Sequence, residues 1–311
     1  MRNKISLIGA GNVGASCALW LAQANIADLV LVDIPQAETM PVGKSLDLLQ
    51  AGPIIGYDSH ITGTANGLYE GTENSDIVII TGGLPRKPGM SREDLVGANQ
   101  QVVTNIIDQA LPKSPDAIFI IVTNPLDTMT YLAYKHSKLP RQRVIGQAGI
   151  LDSARFAAFI AQELKVSLEN VQTAVMGGHG DEMVPLIRYS NVFGLPLTEW
   201  MSKERLDAIV DRTRKGGGEI VNLLKTSAYY APGAALAKMA IAILTDQQLI
   251  VPCSTFLEGE YGLFDICFGV PVKLGRNGIE QIIELKLNDE EKAMADKSVT
   301  IIRDTMKALK M

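Results

Sequence analysis

Residues 4–14 read Lys-Ile-Ser-Leu-Ile-Gly-Ala-Gly-Asn-Val-Gly, a short apolar run that ends in three glycines spaced G-x-G-x-x-G. Apolar residues then recur at Val13, Cys17, Leu21 and Ala24 with helical period. Few arrangements restrict a chain as much. A strand ending at Gly9 has to turn sharply, Gly11 lets bare backbone approach a pyrophosphate, and Gly14 lets helix and strand pack closely. The helix start adds unpaired N–H donors and the positive end of its dipole. The spacing alone is weak evidence. A second apolar run over 29–32, however, ends in Asp33, which is 33 − 14 = 19 positions past the last glycine. A carboxylate there accepts hydrogen bonds from a ribose diol and repels a 2′-phosphate, so the unit is predicted to bind NAD in preference to NADP.

Further strands are expected over 60–64, 76–81, 117–123 and 143–146, with helical patterns between several of them, notably 92–110. Such alternation implies a parallel sheet with helices on both faces. With 311 residues, 47% of them hydrophobic, the chain can build two packed lobes or one large α/β unit. Its character changes after Gly149. The expectation is a Rossmann-type doubly wound α/β unit over 1–147 that binds NAD, followed by an α+β substrate domain over 148–311.

The apolar run 76–80 leads into Thr-Gly-Gly-Leu-Pro-Arg-Lys-Pro-Gly-Met-Ser-Arg, residues 81–92. Prolines and glycines keep this stretch out of helix and sheet, so Arg86, Lys87 and Arg92 ride on a loop at the carboxyl end of a strand. Open α/β sheets bind ligands at that edge. In a chain of net charge −5, such a cationic loop suits an anion. The next strand ends in Thr-Asn-Pro, which brings Asn124 to the same edge either as a ligand contact or as a helix N-cap.

A helix over 151–163 carries Asp152 and Arg155 three apart, hence on one face. Phe156, Phe159 and Ile160 predict its burial, and a buried Arg needs an anionic partner. A strand over 171–176 leads to Gly-Gly-His-Gly-Asp, placing His179 between glycines at a strand end as the acid/base candidate, while His60 and His136 read as surface residues. Gly216, Gly217 and Gly218 interrupt a helix over 212–224 at about 1 kcal/mol each against Ala, which calls for close approach of another helix, in this chain or a second subunit. Small residues over 227–235 suit a pocket floor. A hairpin is expected around 275–278, and Asn288 caps a last helix with Glu291 at its third position.

Net negative charge argues against nucleic-acid binding, and no apolar run approaches the ~18–20 residues of a membrane span. Three scattered cysteines without C-x-x-C spacing and three histidines indicate neither a disulfide framework nor a metal site. A strand follows Met1 almost at once, with no room for a leader. These features together imply a soluble cytoplasmic protein.

Five ordered motifs resemble the lactate/malate dehydrogenase family over nearly the whole chain: Gly9 to Gly14, Leu-Pro-Arg-Lys-Pro-Gly-Met-Ser-Arg, Thr-Asn-Pro, Leu-Asp-Ser-Ala-Arg and Gly-Gly-His-Gly-Asp. His-Gly-Asp-Glu-Met-Val-Pro is similar to the lactate-dehydrogenase-like branch of malate dehydrogenases, although the Gly usual before Ser227 in that branch is here Thr226. The resemblance implies reversible oxidation of (S)-malate to oxaloacetate with NAD, as in the tricarboxylic acid cycle. It makes His179 the acid/base, oriented by Asp152, and gives Arg155 the C1 carboxylate of the substrate. Arg92 would polarise the reacting carbonyl, Asn124 would bind substrate, and Asn99 would lie near substrate and nicotinamide. Arg86 stands where lactate dehydrogenases carry Gln and would meet the far carboxylate. Cofactor contacts are implied for Gly9, Ala10, Gly11, Asn12, Val13 and Gly14, for Asp33, and for Asn99, Val122, Thr123 and Asn124. A homo-oligomer is implied, a tetramer before a dimer. Lactate or another 2-hydroxy acid is the alternative substrate. A non-catalytic NAD-binding protein would need Asp33 and the glycines, but not His179, Asp152, Arg92 and Arg155 together.

Overall fold

The computed structural model describes residues 2–84 and 92–310, the side chain of Arg92 excepted. The chain opens with β1 (Asn3–Ile8), α1 (Asn12–Ala24) and β2 (Ala27–Val32), and β1 runs parallel to β2 from Asn3↔Ala27 to Ile8↔Val32. Asn25, at a left-handed φ of 55°, ends α1 by donating its N–H to the carbonyls of Leu21 and Ala22. There follow α2 (Met40–Ile55), β3 (Ile61–Gly63), β4 (Ile77–Ile80), α3 (Arg92–Ala110), β5 (Ile118–Ile121), α4 (Leu126–Ser137) and β6 (Val144–Gly146). β4 and β5 are buried at every residue because helices cover both faces of the sheet, which is why they read as unbroken Ile/Val runs.

The second part holds α5 (Gly149–Leu164), β7 (Val171–Gln172), β8 (Val175–Met176), β9 (Val184–Pro185), β10 (Asn191–Val192), β11 (Leu195–Pro196), α6 (Lys203–Leu224) and α7 (Tyr230–Leu244). A meander of β12 (Leu249–Glu258), β13 (Phe264–Gly275) and β14 (Gly278–Ile282) precedes α8 (Asp289–Met306). Among the described residues the main sheet has nine strands in the order β14-β13-β12-β6-β5-β4-β1-β2-β3. Its order reverses between β1 and β4, the position at which doubly wound sheets open a ligand crevice. The meander joins the parallel half directly, Ser254 of β12 opposite Gly146 of β6. One buried cluster accordingly runs from Ile5 and Leu29 to Phe268 and Val299.

Several expectations are met, others revised. The hairpin of β13 and β14 closes at Gly275↔Gly278, and α8 starts with the expected reciprocal cap, Asn288 Oδ1 accepting from Glu291 N–H at 2.8 Å and Glu291 Oε2 from Asn288 N–H at 2.9 Å. The strand expected over 171–176 splits into β7 and β8, which join different sheets. Side chains take over between them: Val175 N–H donates to Ser153 Oγ at 2.9 Å, and Thr173 Oγ1 to the Ser153 carbonyl at 2.7 Å. The 227–235 stretch is no simple pocket floor. Ser227 is exposed, and Gly233 lies where a Cβ would stand 2.8 Å from Cys17 N, so α7 is pressed onto α1.

Candidate active site

The crevice between β1 and β4 is made of backbone. Gly9 has a φ of +113°, and a Cβ there would lie 2.5 Å from Gly82 N. At Gly14 it would fall 1.9 Å from the Gly9 carbonyl oxygen. Protein atoms alone therefore require these two glycines. Gly11 differs. No protein atom lies within 4 Å of its would-be Cβ, and it starts α1 without a side-chain cap. Bare backbone, uncapped N–H groups and the helix dipole coincide there, with Gly11 and Asn12 exposed and Val13 half-buried. This arrangement fits a pyrophosphate. At the end of β2 the Asp33 carboxylate is held by Ala10 N–H at 2.7 Å and Ile34 N–H at 2.8 Å, which leaves lone pairs for a ribose diol. Lys44, not singled out in the sequence, donates Nζ to the Ala10 carbonyl at 2.6 Å and ties α2 to the same turn.

Asn99 of α3 is fully buried, and its amide serves the backbone. Oδ1 accepts from Leu84 N–H at 2.7 Å, while Nδ2 donates to the carbonyls of Leu84 (3.1 Å) and Asn124 (2.6 Å). It thereby ties together the loops that leave β4 and β5. Asn124 is exposed and is not the N-cap of α4, a position taken by Pro125. Thr123 Oγ1 donates to the Gly82 carbonyl, and Val122 is half-buried. Arg86 and Lys87 lie outside the described residues, as does the side chain of Arg92, the first residue of α3.

On the facing side, His179 follows β8 in a turn where Gly177 and Gly180 take φ of +90° and +157°. Its Nδ1 pairs with Asp152 Oδ2 at 2.9 Å, and Arg155 Nη1 donates to Asp152 Oδ1 at 3.2 Å. One buried carboxylate thus bridges both side chains. Burial lowers the imidazole pKa, but the charge and hydrogen bond of Asp152 outweigh it. Asp127 adds to this and Arg155 opposes it, so His179 ends above its ordinary value. Gly216 explains one of the helix glycines: a Cβ there would stand 2.4 Å from Arg155 Cδ. The close approach expected of a helix is made here by the arginine stem, and α6 leaves it room. Gly218 meets nothing within 4 Å.

Asp127 was passed over in the sequence. It is buried in the first turn of α4, and its Oδ2 accepts from the His179 backbone N–H at 2.9 Å. Its signal was an acid set in an otherwise apolar helix start, Asn-Pro-Leu-Asp. Among the described residues, no cluster of three or more His, Cys, Asp or Glu could hold a metal ion, and no helix is long and apolar enough to cross a membrane.

Comparison with known proteins gives a consistent picture. Residues 3–146 match the model for the lactate/malate dehydrogenase NAD binding domain, and residues 150–311 match that for the lactate/malate dehydrogenase alpha/beta C-terminal domain. A malate dehydrogenase of Roseiflexus sp. (strain RS-1) is 59% identical over 311 residues, covering all of this chain and 99% of the relative. The structure of malate dehydrogenase from Salinibacter ruber superposes with a TM-score of 0.93 at 47% identity, over 98% of this chain and 97% of that one. A lactate dehydrogenase from Cryptosporidium parvum, complexed with lactic acid and the nicotinamide cofactor, gives 0.94 at 39% identity over 99% and 98%. With the glycine crevice, Asp33 and the His179–Asp152–Arg155 arrangement already in view, both halves find their counterpart in one group: the chain belongs to the lactate/malate dehydrogenase family.

Proposed function

We propose that the chain is an NAD-dependent malate dehydrogenase that interconverts (S)-malate and oxaloacetate. The observation that carries this reading is the buried Asp152 carboxylate shared by His179 and Arg155. In this reading, residues 1–147 serve the cofactor and residues 148–311 the substrate, a division supported by the two family matches. When bound, the nicotinamide supplies the hydride-transfer chemistry. The reacting oxygen then gathers negative charge and needs a proton. His179 supplies it from Nε2 in reduction and removes it in oxidation, because Asp152 fixes the other proton at Nδ1 and favours the imidazolium. Arg155 spends one N–H on Asp152 and keeps the rest of its fork for the C1 carboxylate. Arg92 polarises the carbonyl, Asn124 hydrogen-bonds the substrate, and Asn99 acts by holding the two loop ends. Gly9, Ala10, Gly11, Asn12, Val13 and Gly14 cradle the pyrophosphate, Asp33 the ribose, and Val122, Thr123 and Asn124 border the nicotinamide.

The shared fold does not choose between malate and lactate, as the likeness to a lactate dehydrogenase makes plain. Arg86 does. A second carboxylate would neutralise its charge, whereas a methyl group would leave the cation unpaired, at about 2–5 kcal/mol. Oxaloacetate is therefore expected to exceed pyruvate in kcat/KM by ~10²-fold or more, with NADH preferred to NADPH, and Arg86→Gln should narrow the substrate gap. Steady-state assays with both acids and both cofactors check this. Comparable values for the two acids in the unmodified enzyme refute the malate assignment. A protein that binds NADH without turning over any 2-oxo acid is the non-catalytic alternative.

A soluble cytoplasmic homotetramer working in the tricarboxylic acid cycle completes the proposal. Support for assembly comes from exposed apolar side chains on two helices, Ile54 and Ile55 of α2 and Leu223 and Leu224 of α6, the first of them 83% exposed. A single species near the 33.6 kDa of one chain in sedimentation velocity would rule assembly out.

A further inference from the structure

Both oxygens of Asp127 are engaged, each by a different element. Oδ2 accepts from the backbone N–H of His179 at 2.9 Å, and Oδ1 from the Ser254 hydroxyl at 2.7 Å. Asp127 belongs to the segment matched as the NAD binding domain, and both partners to the one matched as the C-terminal domain. Ser254 sits opposite Gly146, where β12 joins the parallel sheet. The carboxylate is therefore fixed from the helix start, the catalytic turn and the sheet junction at once.

We infer that Asp127 is a positioning residue of the proposed reaction, pinning the main chain of His179 and setting a second carboxylate behind the imidazole that Asp152 already orients. An ordinary solvated aspartate could not act this way, since water would screen it. Here the group is 5% exposed, and the start of α4 favours an anion in its first turn. Other charges act on the pair. Asp152 and Arg155 reach His179 from α5, Glu182 lies near Asp127 in the turn after His179, and the Cys267 thiol of β13 is pushed up by burial and by Asp127. Burial drives Asp127 to about 6, against the opposing hydrogen bonds from Ser254 and His179, so its charge varies within the range where His179 works.

The inference rests on His179 being the acid/base. Asp127→Asn keeps the shape and the hydrogen bonds: the amide oxygen still accepts from His179 N–H, and the amide NH2 faces a hydroxyl that can accept. Only the charge goes. Oxaloacetate reduction needs protonated His179, so its kcat/KM falls as pH rises through the His179 pKa. Malate oxidation needs the neutral ring, so its kcat/KM rises through the same pKa. Removing the charge behind the ring is expected to move both limbs about one unit toward lower pH. Reduction then drops ~10-fold on the alkaline side, while oxidation gains on the acid side. Ser254→Ala, which withdraws one hydrogen bond from the ionised carboxylate, is expected to give a smaller shift of the same sign, and it decides the matter should Asp127→Asn fail to fold. Packing damage alone would lower both reactions at every pH and leave the limbs where they were. Limbs that coincide with wild type in the folded variants overturn the role of Asp127, whereas full turnover in His179→Asn would overturn the acid/base reading beneath it.

Discussion

His179→Asn is expected to lower kcat for oxaloacetate reduction by roughly 10²–10⁴-fold, the range that a positioned acid or base contributes. The fold should survive, because Asn can still donate one N–H toward Asp152, whose other oxygen keeps its bond from Arg155 Nη1 at 3.2 Å. NADH affinity should barely change, since Gly11 caps the start of α1 and Asp33, just past β2, is held by Ala10 and Ile34 N–H groups and not by the His179 turn. Fluorescence titration with NADH beside stopped-flow turnover separates the two effects. The residual activity should also lose the pH limb assigned to the imidazole, which Asp152 holds above its ordinary value in the unmodified protein. A variant that keeps both its rate and its pH dependence would mean that the proton comes from elsewhere.

The second large effect is expected at Arg155. Its side chain is 12% exposed and its stem occupies the space that Gly216 leaves open. Arg155→Leu removes the fork proposed for the C1 carboxylate and leaves a bound 2-oxo acid with an unpaired charge, a loss of about 2–5 kcal/mol, or ~10²-fold or more in kcat/KM. Most of the loss should appear in KM, because the carboxylate is bound alike in substrate and transition state. Arg155→Lys tests geometry against charge. A lysine keeps the cation but cannot bridge two carboxylates in one plane, so it should recover only part of the affinity. Initial rates over a wide range of oxaloacetate concentration distinguish these outcomes, and an unchanged KM in the Leu variant would remove Arg155 from substrate binding.

The parallel half of the fold was legible because its strands are buried on both faces and its first turn is punctuated by three glycines, two of which nothing larger could replace. Gly9 and Gly14 announce themselves by spacing, and atoms 2.5 and 1.9 Å from their would-be side chains enforce them. Other elements carried no local signal. α2 offers Val42, Leu46, Leu49, Ile54 and Ile55 to solvent, so its apolar residues do not mark the face it buries in the isolated chain. In β12, Pro252 reads as a breaker, yet it lies opposite Pro271 in a ladder that keeps its register from Leu249 to Leu257. Asp152 and Arg155 were legible on one helix face and His179 at a strand end, and the resemblance paired His179 with Asp152; the fold adds that Arg155 shares the same carboxylate. Asp127 lay hidden for the opposite reason. Its partners are a backbone N–H and a hydroxyl 127 positions away, and no pattern of neighbouring residues encodes either bond.

The junction of β6 with β12 carries a consequence for how the molecule is held together. A cut near residue 147 would not release two self-sufficient globules. One fragment would bare the margin of Val144–Gly146 and the other that of Leu249–Glu258, raw edges of the kind that recruit foreign strands. Alignment of histidine with glycine crevice is thus inherited from one shared sheet and the core beneath it.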